Sequence, residues 1–251
     1  MRAALVVLTA AIIVAPLSAQ QRRAGPRHYT YVLVHGAWGG GWDWLAIDSM
    51  LTRDGHHVAR VTLTGLGERH HLASPAIGLD THIDDVVNKI LWDDLHDVVL
   101  VGHSYGGMVI TGVADRVPDR IRRLVYLDAL LPDSGESVMS IPDTGRAKFV
   151  ASITQGGYTV PVWVQDTTVI PRDVPMSLKT FTDTLRLVNP ARSKVAATYV
   201  LTYEPQIVPD PFQMFADRAA ARGWPVMKMV SDHLPERTHR RELVALLERV
   251  P

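Results

Sequence analysis

The sequence predicts an α/β fold built on a parallel sheet, and three observations carry the prediction. Short β-rich runs alternate with helical patterns along most of the chain. The run at residues 98–101 is apolar throughout, as a strand covered on both faces must be. The length of 251 residues suits one large domain, or one domain with an insertion.

The elements follow in order. Residues 29–36, YTYVLVHG, read as a buried strand. Residues 41–55 place Trp44, Leu45, Ile47, Met50 and Leu51 on roughly one helical face and stop at Gly55. The next strand is HHVARVTL, followed by a long polar loop at 64–78. The helix that starts at Leu79 carries Ile83, Val86, Val87, Ile90 and Leu91 on one side, and Asp80 or Thr81 is the expected cap. A strand at 98–101 then leads through a small polar knot into a helical run with Met108, Val109, Ile110 and Val113. Residues 123–129 form the next strand.

The alternation lapses from 130 to about 193, where Pro132, Pro142, Pro161, Pro171, Pro175 and Pro190 fall among weak periodicity. Because the alternation resumes afterwards, this segment reads as an inserted cap rather than a second domain. Strands at 195–202 and 223–231 follow, with a helix at 211–223 between them and one closing helix at 236–250.

Composition excludes several functions. Hydrophobic residues make up 47% and charged residues 21%, ordinary for a globular chain with a substantial core. The formal net charge is zero, so nothing points to a nucleic-acid surface or a polybasic membrane patch. The absence of cysteine excludes disulfides, thiolate metal sites and cysteine nucleophiles. At the N-terminus, Arg2, an apolar run from 3 to 17 and then small and polar residues match a secretory signal. Cleavage is expected after Ala19, with residues 20–28 as a linker to a mature domain at 29–251. The run is too short to span a bilayer comfortably, so the expectation is export to the periplasm or beyond, with no stable membrane insertion after cleavage.

The chemistry starts at the polar knot. Gly102-His103-Ser104-Tyr105-Gly106 fits the G-x-S-x-G nucleophile elbow, with the required strand before it and helix after it. The serine sits on a sharp strand-to-helix turn, and the positions two before and two after come too close to accept a β-carbon. A serine hydroxyl needs a base, itself oriented by an acid, in the chain order serine, acid, histidine. Only His233 and His239 follow Ser104. His233 lies in the loop after the last strand and is the expected base, whereas His239 reads as a solvated helix residue.

Glu204, the first carboxylate after the strand at 195–202, is the expected acid, with Asp210 as its main rival. Asp232 adjoins His233, but sequence neighbours rarely orient each other's side chains. Asp128, ending LVYLDA, is a further alternative for which a loop or structural role is the expectation. The oxyanion donors are expected to be the backbone N–H groups of Tyr105 and of Ala37, in HGAWGGGW. That glycine-rich loop is no phosphate loop, since it lacks both the Lys-Ser/Thr and the G-x-G-x-x-G spacing.

With these residues in place, the sequence resembles a known family. YVLVHGAWGGGWDW, TLTGLGERHHL, THIDDVVN, DVVLVGHSYGG and LVYLDALLPDSGES look like bacterial α/β-hydrolases close to pyrethroid-hydrolase-type esterases. Plant methylesterases and hydroxynitrile lyases are more distant relatives. The resemblance implies an α/β-hydrolase fold and a cofactor-free hydrolase acting on a small-molecule ester, with Ser104 and His233 carried over directly. Relatives usually have aspartate where this chain has Glu204, and glycine-histidine-aspartate where it has Asp232-His233-Leu234. Lyases carry a lysine after the histidine, so Leu234 argues against cyanohydrin cleavage. Lyase chemistry and a non-catalytic ligand-binding role remain the alternatives.

Other candidates are weaker. His56-His57 and His70-His71 are adjacent pairs that point to opposite faces and do not chelate easily, and no metal site is expected. His35 is expected to hold the oxyanion loop by a structural hydrogen bond, and His103 to pack beside the sheet. Trp38, Tyr158 and Trp163, with Phe149 and Phe181, are the aromatic residues expected to line a substrate pocket.

Overall fold

Residues of the inner predicted strands are apolar at consecutive positions because helices cover both faces of the sheet. In the computed structural model, which describes residues 27–142 and 145–250, successive side chains of each strand divide between two cores. Val32 and Val34 of β1 (Thr30–Val34) point into one core, and Tyr31 and Leu33 into the other. α1 (Leu45–Arg53) covers the second core through Ile47 and Leu51. β2 (His57–Val61) follows, and then α2 (Leu79–Trp92), which covers the first core. β3 (Val98–His103), α3 (Gly106–Arg116) and β4 (Ile121–Leu127) complete the first half.

Among the described residues, six strands form one parallel sheet in the order β2-β1-β3-β4-β8-β9. Here β8 is Ala196–Tyr203 and β9 is Val226–Val230, separated by α6 (Gln213–Ala221). The chain leaves β1 for β2 on one side and returns to β3 on the other, so the C-terminal ends of β1 and β3 frame a topological switch point. Val34 pairs with Gly102, and His103 with Leu127. That register brings the loop after β1, the elbow after β3 and the turn after β4 to one place.

The 130–193 segment carries α4 (Arg146–Ser152), β5 (Thr154–Gln155), β6 (Tyr158–Thr159), β7 (Met176–Ser177) and α5 (Lys179–Thr182). The three strands form a small antiparallel sheet apart from the main one. The segment seats on the loop after β1, where Val174 N–H donates to Trp38 O at 2.9 Å. The segment also corrects one expectation. The N-cap of α2 is Gly78, and neither Asp80 nor Thr81 caps it. Asp183 of the insertion instead accepts from Leu79 N–H at 3.1 Å, while Asp80 pairs with Arg116 at 2.7 Å. A partner 104 residues away displaces the local one.

The closing helix is also two helices, α7 (Pro235–Thr238) and α8 (Arg240–Leu247). His239 breaks them with φ −126° and ψ 49°, and its Nδ1 sits 2.9 Å from Ser231 Oγ. It is therefore a joint bonded to the end of β9 rather than a solvated helix residue. No helix of the described residues is long and apolar enough to cross a membrane, and residues 1–19, read as a signal, lie outside the described residues.

Candidate active site

Ser104 leaves β3 with φ +52°, a left-handed conformation that costs a non-glycine residue on the order of 1–3 kcal/mol. Three backbone bonds hold it there. Ser104 N–H donates to Leu127 O at 3.2 Å, and Ser104 O accepts from Gly107 N–H at 3.1 Å and Leu130 N–H at 3.0 Å. At about 1 kcal/mol net each, they offset the strain.

Glycine is required around this turn by close approach. A β-carbon on Gly102 would meet Gly106 O at 2.7 Å, and one on Gly107 would run into Leu130 O. Gly107→Ala is therefore expected to destabilise the fold by about 1–3 kcal/mol, read as a lower urea midpoint. An unchanged midpoint would show that the turn after β4 is not tightly seated on α3.

His233 reaches the serine. Ser104 Oγ lies 2.9 Å from His233 Nε2, and His233 Nδ1 lies 2.6 Å from Asp128 Oδ2. The His233 ring stacks on Phe212 at 4.6 Å and faces the His103 ring at 4.8 Å. Asp128 is 3% exposed, and burial raises its carboxyl while the bond to His233 pulls it down. Its other oxygen, Oδ1, accepts from Thr202 N–H at 3.2 Å, and its own N–H donates to Val200 O at 2.7 Å. With φ +42°, the backbone at Asp128 turns sharply out of β4 beside the elbow.

The acid position is thus a correction. Glu204 does not meet His233; its Oε2 accepts from Gln206 at 2.8 Å on the rim of a cavity of about 290 Å³ adjoining His233. Asp210 accepts from Phe212 N–H at 2.8 Å and Asp232 from Leu234 N–H at 3.0 Å, both as local turn residues. The physical reason is strand order. β4 is the direct neighbour of β3, so the residue after β4 emerges beside Ser104, whereas β8 is one strand further out. The order serine, acid, histidine holds equally for Asp128, so chain order did not separate the candidates.

Ala37 and Tyr105 flank Ser104 in the loops after β1 and β3. Neither backbone N–H has an acceptor among the described residues, so both are free to bind an anion. His35 holds the first loop, its Nε2 accepting from Leu63 N–H at 3.1 Å and its Nδ1 lying 2.7 Å from Gly36 O. Burial lowers the His35 pKa, which keeps the ring neutral for that accepting role. Asp43 accepts from Gly40 N–H at 3.3 Å and pairs with Arg237 Nε at 2.7 Å. Arg237 also meets Asp173 of the insertion at 3.0 Å, tying together the base's segment, the loop after β1 and the cap.

The aromatic expectations divide. Trp38, at φ +64°, stands at the centre of a group with Trp163 (5.0 Å), Phe181 (5.7 Å) and Phe149 (6.5 Å), and its Nε1 donates to Thr159 Oγ1 at 2.9 Å. Phe181 extends the group to the Tyr105 ring at 5.8 Å. Tyr158 is not part of it and lines a crevice with Thr64, Gly65 and Ser74 instead. The strand period explains this, since Tyr158 and Thr159 face opposite ways and Thr159 takes the Trp38 side.

Comparison with known proteins adds three relatives. A model of the Alpha/beta hydrolase family matches residues 31–246. The carbendazim hydrolyzing esterase of Nocardioides sp. (strain SG-4G) is 38% identical over 223 residues, 81% of this chain and 91% of that protein. Methylesterase 2 of Arabidopsis thaliana is 31% identical over 134 residues, 53% of this chain and 49% of its own length. Among solved structures, an extracellular alpha/beta-hydrolase from a Paenibacillus species matches with a TM-score of 0.73 at 24% identity, covering 87% of this chain and 97% of that one. That protein is described as sharing homology with tobacco salicylic acid binding protein 2, and its likeness to this chain is one of fold.

Proposed function

The chain belongs to the alpha/beta hydrolase family, where it is an ester hydrolase, and we propose that it works through an acyl-enzyme formed on Ser104. The observation that carries this reading is the continuous line from Ser104 Oγ through both nitrogens of His233 to the buried Asp128 carboxylate.

His233 Nε2 takes the hydroxyl proton as Ser104 Oγ attacks the ester carbonyl carbon. Asp128 holds the other ring proton on Nδ1 and stabilises the imidazolium that results. The N–H groups of Ala37 and Tyr105 receive the negative charge on the carbonyl oxygen. Collapse breaks the bond to the alcohol oxygen, which leaves with the proton from Nε2. Water then attacks the acyl-enzyme with His233 as base, releasing the carboxylic acid and restoring Ser104.

The aromatic group around Trp38 favours an apolar or aromatic portion on the ester, and the methylesterase relative puts methyl esters first among the leaving alcohols to assay. Leu234 offers no cation beside the base, so nothing there favours cyanohydrin cleavage. The reading includes export, on the strength of the apolar run at 3–17.

Labelling tests the mechanism. A fluorophosphonate probe is expected to modify Ser104 stoichiometrically and to stop methyl ester hydrolysis in proportion. Full activity after complete labelling, or modification of another residue, would remove the serine mechanism.

A further inference from the structure

Behind the base lies a buried acid that the mechanism above does not use. Glu236, at the second position of α7, is 1% exposed. Its Oε1 lies 3.5 Å from His103 Nδ1, and its Oε2 has no hydrogen-bond partner among the described residues. His103 is 3% exposed, and its Nε2 is 2.7 Å from the backbone oxygen of His233. A backbone oxygen only accepts, so His103 Nε2 carries the proton of that bond. On a neutral ring, Nδ1 is then a lone pair facing the carboxyl group.

We propose that His103 and Glu236 position the His233 base, with Glu236 acting as a neutral carboxylic acid opposite the Nδ1 lone pair of His103. The inference rests on the serine mechanism above and names two further residues of the same site. An ionised Glu236 would set an oxygen lone pair against the nitrogen lone pair, in a place water does not reach. A protonated one places a donor there, so the elbow and the segment carrying His233 are held together through His103.

The surroundings favour the neutral pair. Asp43, from the turn after β1, and Asp232, on the base's own loop, both bear on Glu236 with like charge. Arg237 opposes them, but it is already engaged by Asp43 and Asp173. His233, Arg237 and His35 disfavour a second proton on His103, and burial does so most. Burial also pushes the Glu236 carboxyl up to about 8. The proton is thus retained through neutral pH and lost as pH rises through about 8, and the positioning is lost with it.

The test compares the wild type, Glu236→Gln and Glu236→Leu for hydrolysis of a short p-nitrophenyl ester between pH 6 and 9.5. The wild-type kcat/KM is expected to decline on the alkaline side and to be down about fivefold at pH 9, one unit above the midpoint, on its way to a tenfold lower plateau. The Gln side chain donates without titrating, so that alkaline decline is expected to vanish in Glu236→Gln. Glu236→Leu is expected to lower kcat about tenfold at pH 7 with little change in KM.

An alkaline decline that persists in the Gln variant overturns the proposal, as does a Leu variant with the wild-type kcat. Should the Leu variant not fold, the Gln profile decides alone. Fluorophosphonate labelling run alongside separates the two levels. An unlabelled wild type removes the serine mechanism, whereas a labelled, active enzyme with an unaltered Gln profile removes only the role of Glu236.

Discussion

Ser104→Ala is expected to lower kcat for a short p-nitrophenyl ester by about a millionfold while the protein stays folded. The size follows from what is lost. Without the oxygen there is no acyl-enzyme, and the base has nothing to activate except water in a position it was not built for. The residual rate over solution is set by the Ala37 and Tyr105 N–H groups, which the substitution leaves alone. The fold survives because Ser104 is held through its backbone, in bonds to Leu127, Gly107 and Leu130 that alanine keeps. Unfolding curves and single-turnover kinetics check the two halves separately. Full turnover in a folded Ser104→Ala protein would end the mechanism.

Asp128→Asn is expected to cost about 10⁴-fold in kcat, and Glu204→Gln no more than about twofold. The asymmetry follows from hydrogen-bond capacity. The Asp128 carboxylate accepts from two donors, Thr202 N–H and His233 Nδ1. An asparagine has one accepting oxygen. If that oxygen serves Thr202, its NH₂ faces His233 and draws the ring proton to Nε2, where the ring can no longer accept from Ser104. Among the described residues the Glu204 side chain bonds to Gln206 at the surface, and glutamine keeps that partner. Steady-state kinetics on the two variants decide the point, and the opposite ranking would restore Glu204 as the acid.

The contrast between these two carboxylates shows where reading the sequence runs out. Ser104 and His233 are visible in the sequence because their signals are local, an elbow between glycines in one case and a histidine just after the last strand in the other. The inner strands β1 and β3 are visible because burial on both faces leaves apolar runs, and the outer ones because short β-rich stretches alternate with helical patterns. Asp128 owes its place to something no short window contains. It ends a strand that hydrogen-bonds directly to β3, and only the strand order turns the end of LVYLDA into the neighbour of Ser104. The same holds for α2, whose cap comes from Asp183, and for Glu236, which a helical pattern cannot distinguish from an exposed glutamate. The departure at 204 from the aspartate of relatives loses its mechanistic weight once the carboxylate bonded to His233 is found to be Asp128 and not Glu204.

Asp183 also bears on how freely the inserted segment can be exchanged. A contiguous inserted segment invites the idea that it can be swapped with the body left untouched. Here the inserted segment supplies the acceptor at the start of α2, an interaction of a kind worth about 1 kcal/mol, on a helix that lines one of the two cores. A transplanted cap without a carboxylate at that point would leave a body helix unfinished. Modularity in this protein therefore has a seam at Leu79 as well as at the two ends of the insertion, and a chimera has to be cut along all three.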